Sequence, residues 1–498
     1  MNSQQSLTLE EACALLSGGT QFTSKAMPRL GIPSICFSDG PLGVRKQAGA
    51  ADHLGLNPSL PATCYPAPAT LANAWDEALE EELGRHLGAE AAALGVDVLL
   101  GPGLNIKRSP LCGRNFEYFS EDPCLSGKLA AACIRGIQSQ GTAACPKHFA
   151  VNSQETLRMH SDSVVDERTL REIYLTAFEI AVKEGKPRSI MSSYNRINGV
   201  YASEDRHLLR DILVDEWGFD GFVVSDWGGS NDHALGVKNG SHLEMPGTGK
   251  SGMYDILHAV ENGDLEEAVL DQRLDELLNV IFSTHQATED AKGKTFDVEA
   301  HHNLTKQPEA ILDVIGSTDL DVVVYEQGYI RNRKPNQKLT KAAVELAKKA
   351  DIVLFFGGLD EISESEGLDR THMSMPAAQE TLLNELTTVN KNVIVVLSAG
   401  SAIEMPWYPY VKGIVHGYLG GQAGASAMMN VLTGKVNPSG KLNETYPLHY
   451  EDTPAYAYYP SKERSSEYRE SLYVGYRYYT TVGKTMRFPF GYGLSYTT

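Results

Sequence analysis

The stretch Gly221-Phe222-Val223-Val224-Ser225-Asp226-Trp227 decides the fold. Its apolar centre is continuous and short, as in a parallel strand buried on both faces. A carboxylate and a tryptophan follow at once. Three other runs have the same character: Val98-Leu99-Leu100, Thr142-Ala143-Ala144-Cys145 and Ser189-Ile190-Met191. Helical patterns separate them. Asp166 to Gly185 opens on an acidic cap, ends at glycine, and sets Leu170, Ile173, Tyr174, Ala177, Ile180 and Ala181 on one face. Ser203 to Gly218 repeats the scheme, and Leu270, Leu274, Leu277, Leu278 and Ile281 form another apolar stripe. Repeated strand–helix units of this length predict a (β/α)8-type barrel rather than an open sheet. Polar residues sit just past the strands: Lys147 and His148, then Tyr194, then Asp226 and Trp227. In a parallel barrel those positions meet on one rim, where such folds place their chemistry.

Outward from the barrel, the chain divides into four parts. Residues 1–290 form the barrel and 291–308 a polar linker. An α/β sandwich domain follows at 309–448, with strands expected at Val322–Tyr325, Ile352–Phe356, Val393–Leu397 and Ile414–His416. Its helices are expected at Lys341–Ala350 and Ala377–Leu386. Residues 449–498, rich in tyrosine and poor in helical period, read as an irregular wrap ending in a strand.

A chain of 498 residues, 42% hydrophobic and 21% charged, has the balance of a globular protein with more than one core. Its net charge of −19 argues against nucleic acid or an anionic membrane as partner. No run of about 18 apolar residues is present to span a bilayer. The N-terminus lacks a basic start followed by an apolar run. The seven cysteines, all in the first third, are odd in number and show no CxxC pair. They read as buried free thiols of a reducing compartment, so a cytoplasmic protein is expected. No P-loop, no GxGxxG after a strand and no GxSxG elbow occurs, and no ligand spacing suggests a metal. No cofactor is expected. A homo-oligomer is compatible with the composition.

The candidate chemistry lies in carboxylates. Hydrolysis of a glycosidic bond needs two, one to protonate the leaving oxygen and one to attack carbon or activate water. Asp226 stands at a strand end, where a rim or capping role is the plain alternative. Trp227 beside it offers a face for a sugar ring. The run Glu361 to Arg370 is an acidic, glycine-broken loop. It reads as solvated surface or as a place where crowding raises a carboxyl pKa. Arg114 fits a structural ion pair. Lys147-His148 fits a metal, phosphate or sugar clamp.

Taken together, the chain resembles glycoside hydrolase family 3, in its β-glucosidase branch. The resemblance is carried by FSDGPLGVR (37–45), GPGLNIKRSPLCGRNFEYFSEDP (101–123), CPKHFAVNSQETLR (145–158), IMSSYNRING (190–199), GFVVSDWGG (221–229), ESEGLDRTHMSMP (364–376), NPSGKLNETYP (437–447) and FPFGYGLSYT (488–497). It implies Asp226 as nucleophile and Glu366, from the second domain, as general acid/base. It implies Asp39 on the 4- and 6-hydroxyls of a terminal glucose. Arg114, Lys147, His148 and Arg158 are implied as the clamp on the remaining hydroxyls. Met191, Tyr194 and Trp227 are implied as lining. The implied reaction is retaining and exo-acting on β-glucosides, small or oligosaccharide, with the carboxyls about 5–5.5 Å apart. Nearby cations are expected to keep Asp226 ionised, giving it the low pKa and Glu366 the high one.

Three features depart from that family. After His301-His302 the usual helix and first sandwich strand are missing, which predicts a shortened domain around Glu366. No fibronectin-III-like region follows FPFGYGLSYTT. His242 replaces an aspartate and reads as loop packing. The competing expectations are a β-xylosidase or another exo-glycosidase, and an impaired sugar-binding relic. Asp39 favours glucose over xylose, and AVNSQE after Lys147-His148-Phe149 disfavours the N-acetylglucosaminidase branch.

Overall fold

In the computed structural model the described residues are 6–49, 57–293, 325–331 and 334–497. The strands Val98–Leu100, Ser189–Met191 and Phe222–Val224 lie where the apolar runs predict, and Ala143–Ala144 forms the core of the fourth. A fifth, Phe37–Asp39, joins them from FSDGPLGVR. All pair in parallel: Phe37–Asp39 with Val98–Leu100, that strand with Ala143–Ala144, and Ser189–Met191 with Phe222–Val224. Single bridges carry the ring further. Met191 N donates to Pro146 O at 3.0 Å, Val224 pairs with Leu243, and Ser17 pairs with Glu244. The result is a (β/α)8-type barrel of very short strands.

Strand alternation divides its side chains between two cores. Val98, Leu100, Ala143, Cys145, Met191, Phe222 and Val224 pack with Leu16, Leu243 and Leu274. Leu99, Ala144, Ile190 and Val223 point the other way, against Ile134, Ala177 and Leu209 of the surrounding helices. Each residue therefore has a dry partner, and the continuous apolar runs are explained.

The helices depart from expectation in detail. Asp166 caps as predicted, accepting from Thr169 N at 3.0 Å, but the run to Gly185 is wound largely as π-helix. It ends at Gly185, as expected, with Lys186 rather than the glycine in the left-handed cap position at φ 51°. The next helix begins at His207 rather than Ser203. Ser203 is instead buried, and its hydroxyl donates to Gly229 O at 3.1 Å. His242 is buried too, its Nε2 2.7 Å from Glu276, a packing role away from the rim.

Among the described residues the second α/β unit holds three parallel strands in the order Gly413–His416, Val393–Ser398, Val353–Gly358. Helices Gln337–Ala347 and Ala377–Val389 flank them. The first starts four residues before the expected Lys341, because Asn336 caps it by accepting from Lys338 N and Leu339 N. The strand expected at Val322–Tyr325 lies outside the described residues except for Tyr325, which is in no strand.

The C-terminal wrap is more ordered than predicted. Ser465–Glu467 adds in parallel to Asp162–Val164, Tyr476–Val482 is helical, and Met486–Phe488 pairs antiparallel with Tyr446–Pro447. Buried charge locks this layer to the barrel. Arg108 is paired with Glu470, Arg477 meets Asp122 at 3.1 Å, and Glu121 accepts from Tyr476 N at 2.8 Å; just before the wrap, Lys107 meets Glu444 at 3.0 Å. Removing one member of such a buried pair costs about 3–5 kcal/mol, since its partner is left charged and dry.

Candidate active site

Asp226 stands two residues past Phe222–Val224, buried, beside Trp227. Its Oδ1 accepts from Trp227 N at 2.8 Å. Its Oδ2 is buried with no hydrogen-bond partner and lies 3.7 Å from His148 Nε2. Trp227 is fixed by its Nε1, which donates to Gln21 O at 2.7 Å, and by the Phe22 ring 5.3 Å away. The Tyr194 hydroxyl donates to Trp227 O at 3.0 Å. Met191, buried on the neighbouring strand, closes the floor.

The basic residues reach the same rim. Lys147 Nζ is 3.2 Å from Asp39 Oδ1, and Asp39 is itself half-exposed. His148 is held by its backbone, since its N–H donates to Asn105 Oδ1 at 2.7 Å and its carbonyl accepts from Asn105 Nδ2. Arg114 Nε is bound to Glu117, while its Nη1 is buried without a hydrogen-bond partner. The Arg158 guanidinium lies over the Tyr194 ring, 4.9 Å from its centre, and Nη1 bonds both Glu155 and Glu366 at 2.8 Å. All ten predicted site residues converge here.

Glu366 arrives on a loop from the second unit, with its side chain 54% exposed. Gly367, at φ 84°, makes the turn beside it, and Ser365 bridges Leu368. The loop is pinned on both sides. Glu364 is buried and accepts from Gly400 N at 2.7 Å. Arg370 Nη1 donates to Pro110 O at 3.1 Å and Ala402 O at 2.9 Å. The loop is thus anchored at both ends; the stretch after His301-His302 where the missing helix and strand were expected lies outside the described residues.

The electrostatics reverse the predicted order of the two carboxyls. Burial pushes Asp226 up, against the pull of Arg114 and Lys147, and the charge of Glu366 adds to the rise. The Arg114 and Arg158 guanidiniums hold Glu366 down at about 2. Sequence shows which charges are present, but not that Asp226 is dry and Glu366 open to solvent. Burial also drives His148 well below its ordinary range, with Arg114 and Lys147 reinforcing it, so its imidazole is neutral. Burial alone would lower Lys147, but Asp39 and Glu117 outweigh it and raise it.

Sequence reasoning passed over Glu117, Glu155 and Asp369. The first two had a legible signal. Each lies three residues from an arginine, at the spacing of side-chain pairs on one helical turn. Asp369 had none, because its partners are more than 200 residues away or, for Tyr459, 90.

Among the described residues no group of three metal-binding side chains is present, and no helix is long and apolar enough to cross a membrane. Of the seven unpaired cysteines, Cys13, Cys112, Cys133 and Cys145 are buried as expected. Cys64 and Cys124 are exposed, a departure from the uniform burial expected.

A barrel rim and a second α/β unit that together frame two carboxylates, guanidiniums and a tryptophan define a glycoside hydrolase. Family models agree. Residues 38–280 match the glycosyl hydrolase family 3 N-terminal domain and 223–496 its C-terminal domain, and the chain belongs to that family. It is 45% identical to the thermostable β-glucosidase B of Acetivibrio thermocellus, with 99% of this chain and 72% of that relative aligned. It is 40% identical to the exo-α-(1→6)-L-arabinopyranosidase of Bifidobacterium longum, over 100% of this chain and 73% of that one. The solved β-glucosidase 3B of Thermotoga neapolitana, in complex with α-D-glucose, superposes with a TM-score of 0.88 at 33% identity, covering 99% of this chain and 82% of that one. The first of these alignments runs over 543 positions, more than the 498 residues of this chain, so that relative carries internal residues with no counterpart here.

Proposed function

We propose that this chain is a retaining, exo-acting β-glucosidase. Asp226 attacks the anomeric carbon and forms a glycosyl-enzyme, while Glu366 protonates the departing oxygen. Glu366 then takes a proton from water as that water displaces Asp226. One observation carries the reading: Asp226 and Glu366, from two parts of the chain, share one cluster, with Asp226 Oδ2 3.7 Å from His148 Nε2, and Arg114 Nη1 and Arg158 Nη1 3.9 and 2.8 Å from Glu366. A sugar hydroxyl, which can both give and accept, suits such a mixed set of groups. Asp39, steadied by Lys147, serves the 4- and 6-hydroxyls, with Arg114, Lys147, His148 and Arg158 on the others. Glu366 starts ionised against Arg158, so a sugar that engages Arg158 frees it to take up a proton. The relatives named β-glucosidases support glucose as the sugar.

A pentopyranoside is the second reading, favoured by the arabinopyranosidase relative. An arabinopyranose or xylose lacks the hydroxymethyl group that Asp39 would bind. The unpaired cysteines support a cytoplasmic setting.

The test is a 2-deoxy-2-fluoro-β-glucoside followed by peptide mass mapping. Label on the peptide holding Asp226 is expected; label elsewhere, or none, removes the assignment. Chromogenic β-glucoside, β-xyloside and α-L-arabinopyranoside, run beside Asp226→Ala, decide the sugar.

A further inference from the structure

Asp369 lies three residues beyond Glu366, and its carboxylate is the junction of three separate parts of the chain. From one barrel loop, Gly113 N donates to Oδ1 at 3.3 Å. From a second, Glu155 N donates at 3.0 Å, Thr156 N at 2.8 Å and Thr156 Oγ1 at 2.7 Å. From the C-terminal wrap, the Tyr459 hydroxyl donates at 3.0 Å. An ionised carboxylate has about four lone-pair sites and no proton, so it suits a ring of donors that a neutral amide would half repel. The two barrel loops are those that carry Arg114 and Arg158.

Two further contacts transmit this anchoring to the acid. Glu155, fixed by its own N–H to Asp369, accepts from Gly367 N at 2.7 Å and from Arg158 at 2.8 Å. Gly113 allows the loops to touch: a Cβ there would lie 1.6 Å from Leu368 O and 2.5 Å from Ser365 O, on either side of Glu366. The Glu366 side chain is about half exposed and is held at its tip by Arg158, itself on one of these loops.

We infer that Asp369 is a positioning residue for the acid/base, setting the reach of Glu366 toward the leaving oxygen by tying its loop to the barrel and the wrap. The inference rests on the reading of Glu366 as acid/base. It concerns proton delivery, not the nucleophile, so it predicts a defect that depends on the leaving group. Asp226 still attacks a substrate whose aglycone departs without a proton.

The experiment compares Asp369→Asn with wild type in the full chain, on an alkyl β-glucoside and on 2,4-dinitrophenyl β-glucoside. Expected is a loss of about 30-fold or more in kcat/KM on the alkyl substrate, within the range general acid catalysis supplies. On the dinitrophenyl substrate kcat/KM stays within about threefold, and added azide gives the β-glucosyl azide. Equal losses on both substrates mean a structural role alone and overturn the proposal, as does no loss on either. Gly113→Ala, which pushes the loop outward from the other side, is expected to give the same selective loss. It also decides the matter should Asp369→Asn fail to fold. Glu366→Ala separates the two ideas. If that variant shows no leaving-group dependence, the acid assignment itself fails; if it does and neither Asp369→Asn nor Gly113→Ala follows it, only the positioning role fails.

Discussion

The two carboxylates of this site are held in opposite ways. Asp226 is part of the barrel core, two residues past a buried strand, with one oxygen fixed by the next backbone N–H. Glu366 is on an exposed loop, held by guanidiniums and by loop-to-loop hydrogen bonds. The core supplies the first with rigidity, and burial opposes its charge. Solvent and arginine favour the second one's charge, and only a set of anchors gives it place. Asp226 is thus pre-organised by packing, and Glu366 by polar bonds that a ligand can rearrange.

The comparison breaks most visibly at Asp226. Asp226→Ala is expected to lower kcat by roughly 10⁴-fold or more on every β-glucoside, as when a covalent catalyst is deleted. Activity near wild type in a purified sample would end the assignment. Glu366→Ala should be selective: about 10²–10⁴-fold slower on alkyl glucosides, with azide restoring turnover of dinitrophenyl glucoside. A loss independent of the leaving group would equate the two carboxylates and erase the contrast.

The charges offer a finer test. Arg114 and Arg158 hold Glu366 below Asp226, so Arg158→Met should let the Glu366 pKa rise and carry the acidic limb of kcat/KM, which the lower of the two sets, upward by about one pH unit. A limb that stays in place would show that another group sets it. The smallest effect concerns Glu364, two residues from Glu366 yet buried, and raised to about 7 by that burial. A carboxyl raised on folding stabilises fully below its unfolded pKa, near 4.5. That stability is lost as pH rises through about 7. Glu364→Gln should therefore flatten the fall in Tm between pH 5 and pH 8 by about 2–4 °C. Glu80 and Glu121, raised by burial in the same way, keep part of the slope. An unchanged slope would place Glu364 ionised throughout.

Much of this was legible in the sequence. Phe222–Val224, Val98–Leu100 and Ser189–Met191 were readable because a strand buried on both faces must be apolar throughout. Phe37–Asp39 ends on a charge, and the segments at Ser17 and Leu243 touch the ring by one bridge each, so they leave no such run. The rim residues were readable from motifs in order along the chain. Their energetic balance was not, because a pKa depends on which of two acids the fold dries. Asp369 was hidden for a related reason: a hub is defined by what reaches it, and Gly113, Thr156 and Tyr459 share no pattern with it.

The wrap that begins at residue 449 supplies Tyr459 to Asp369 and Glu470 to Arg108. Translation thus reaches these anchors only after both carboxylates have been made. A product cut short at residue 448 would carry Asp226 and Glu366 and still lack the hydroxyl that Tyr459 gives Asp369.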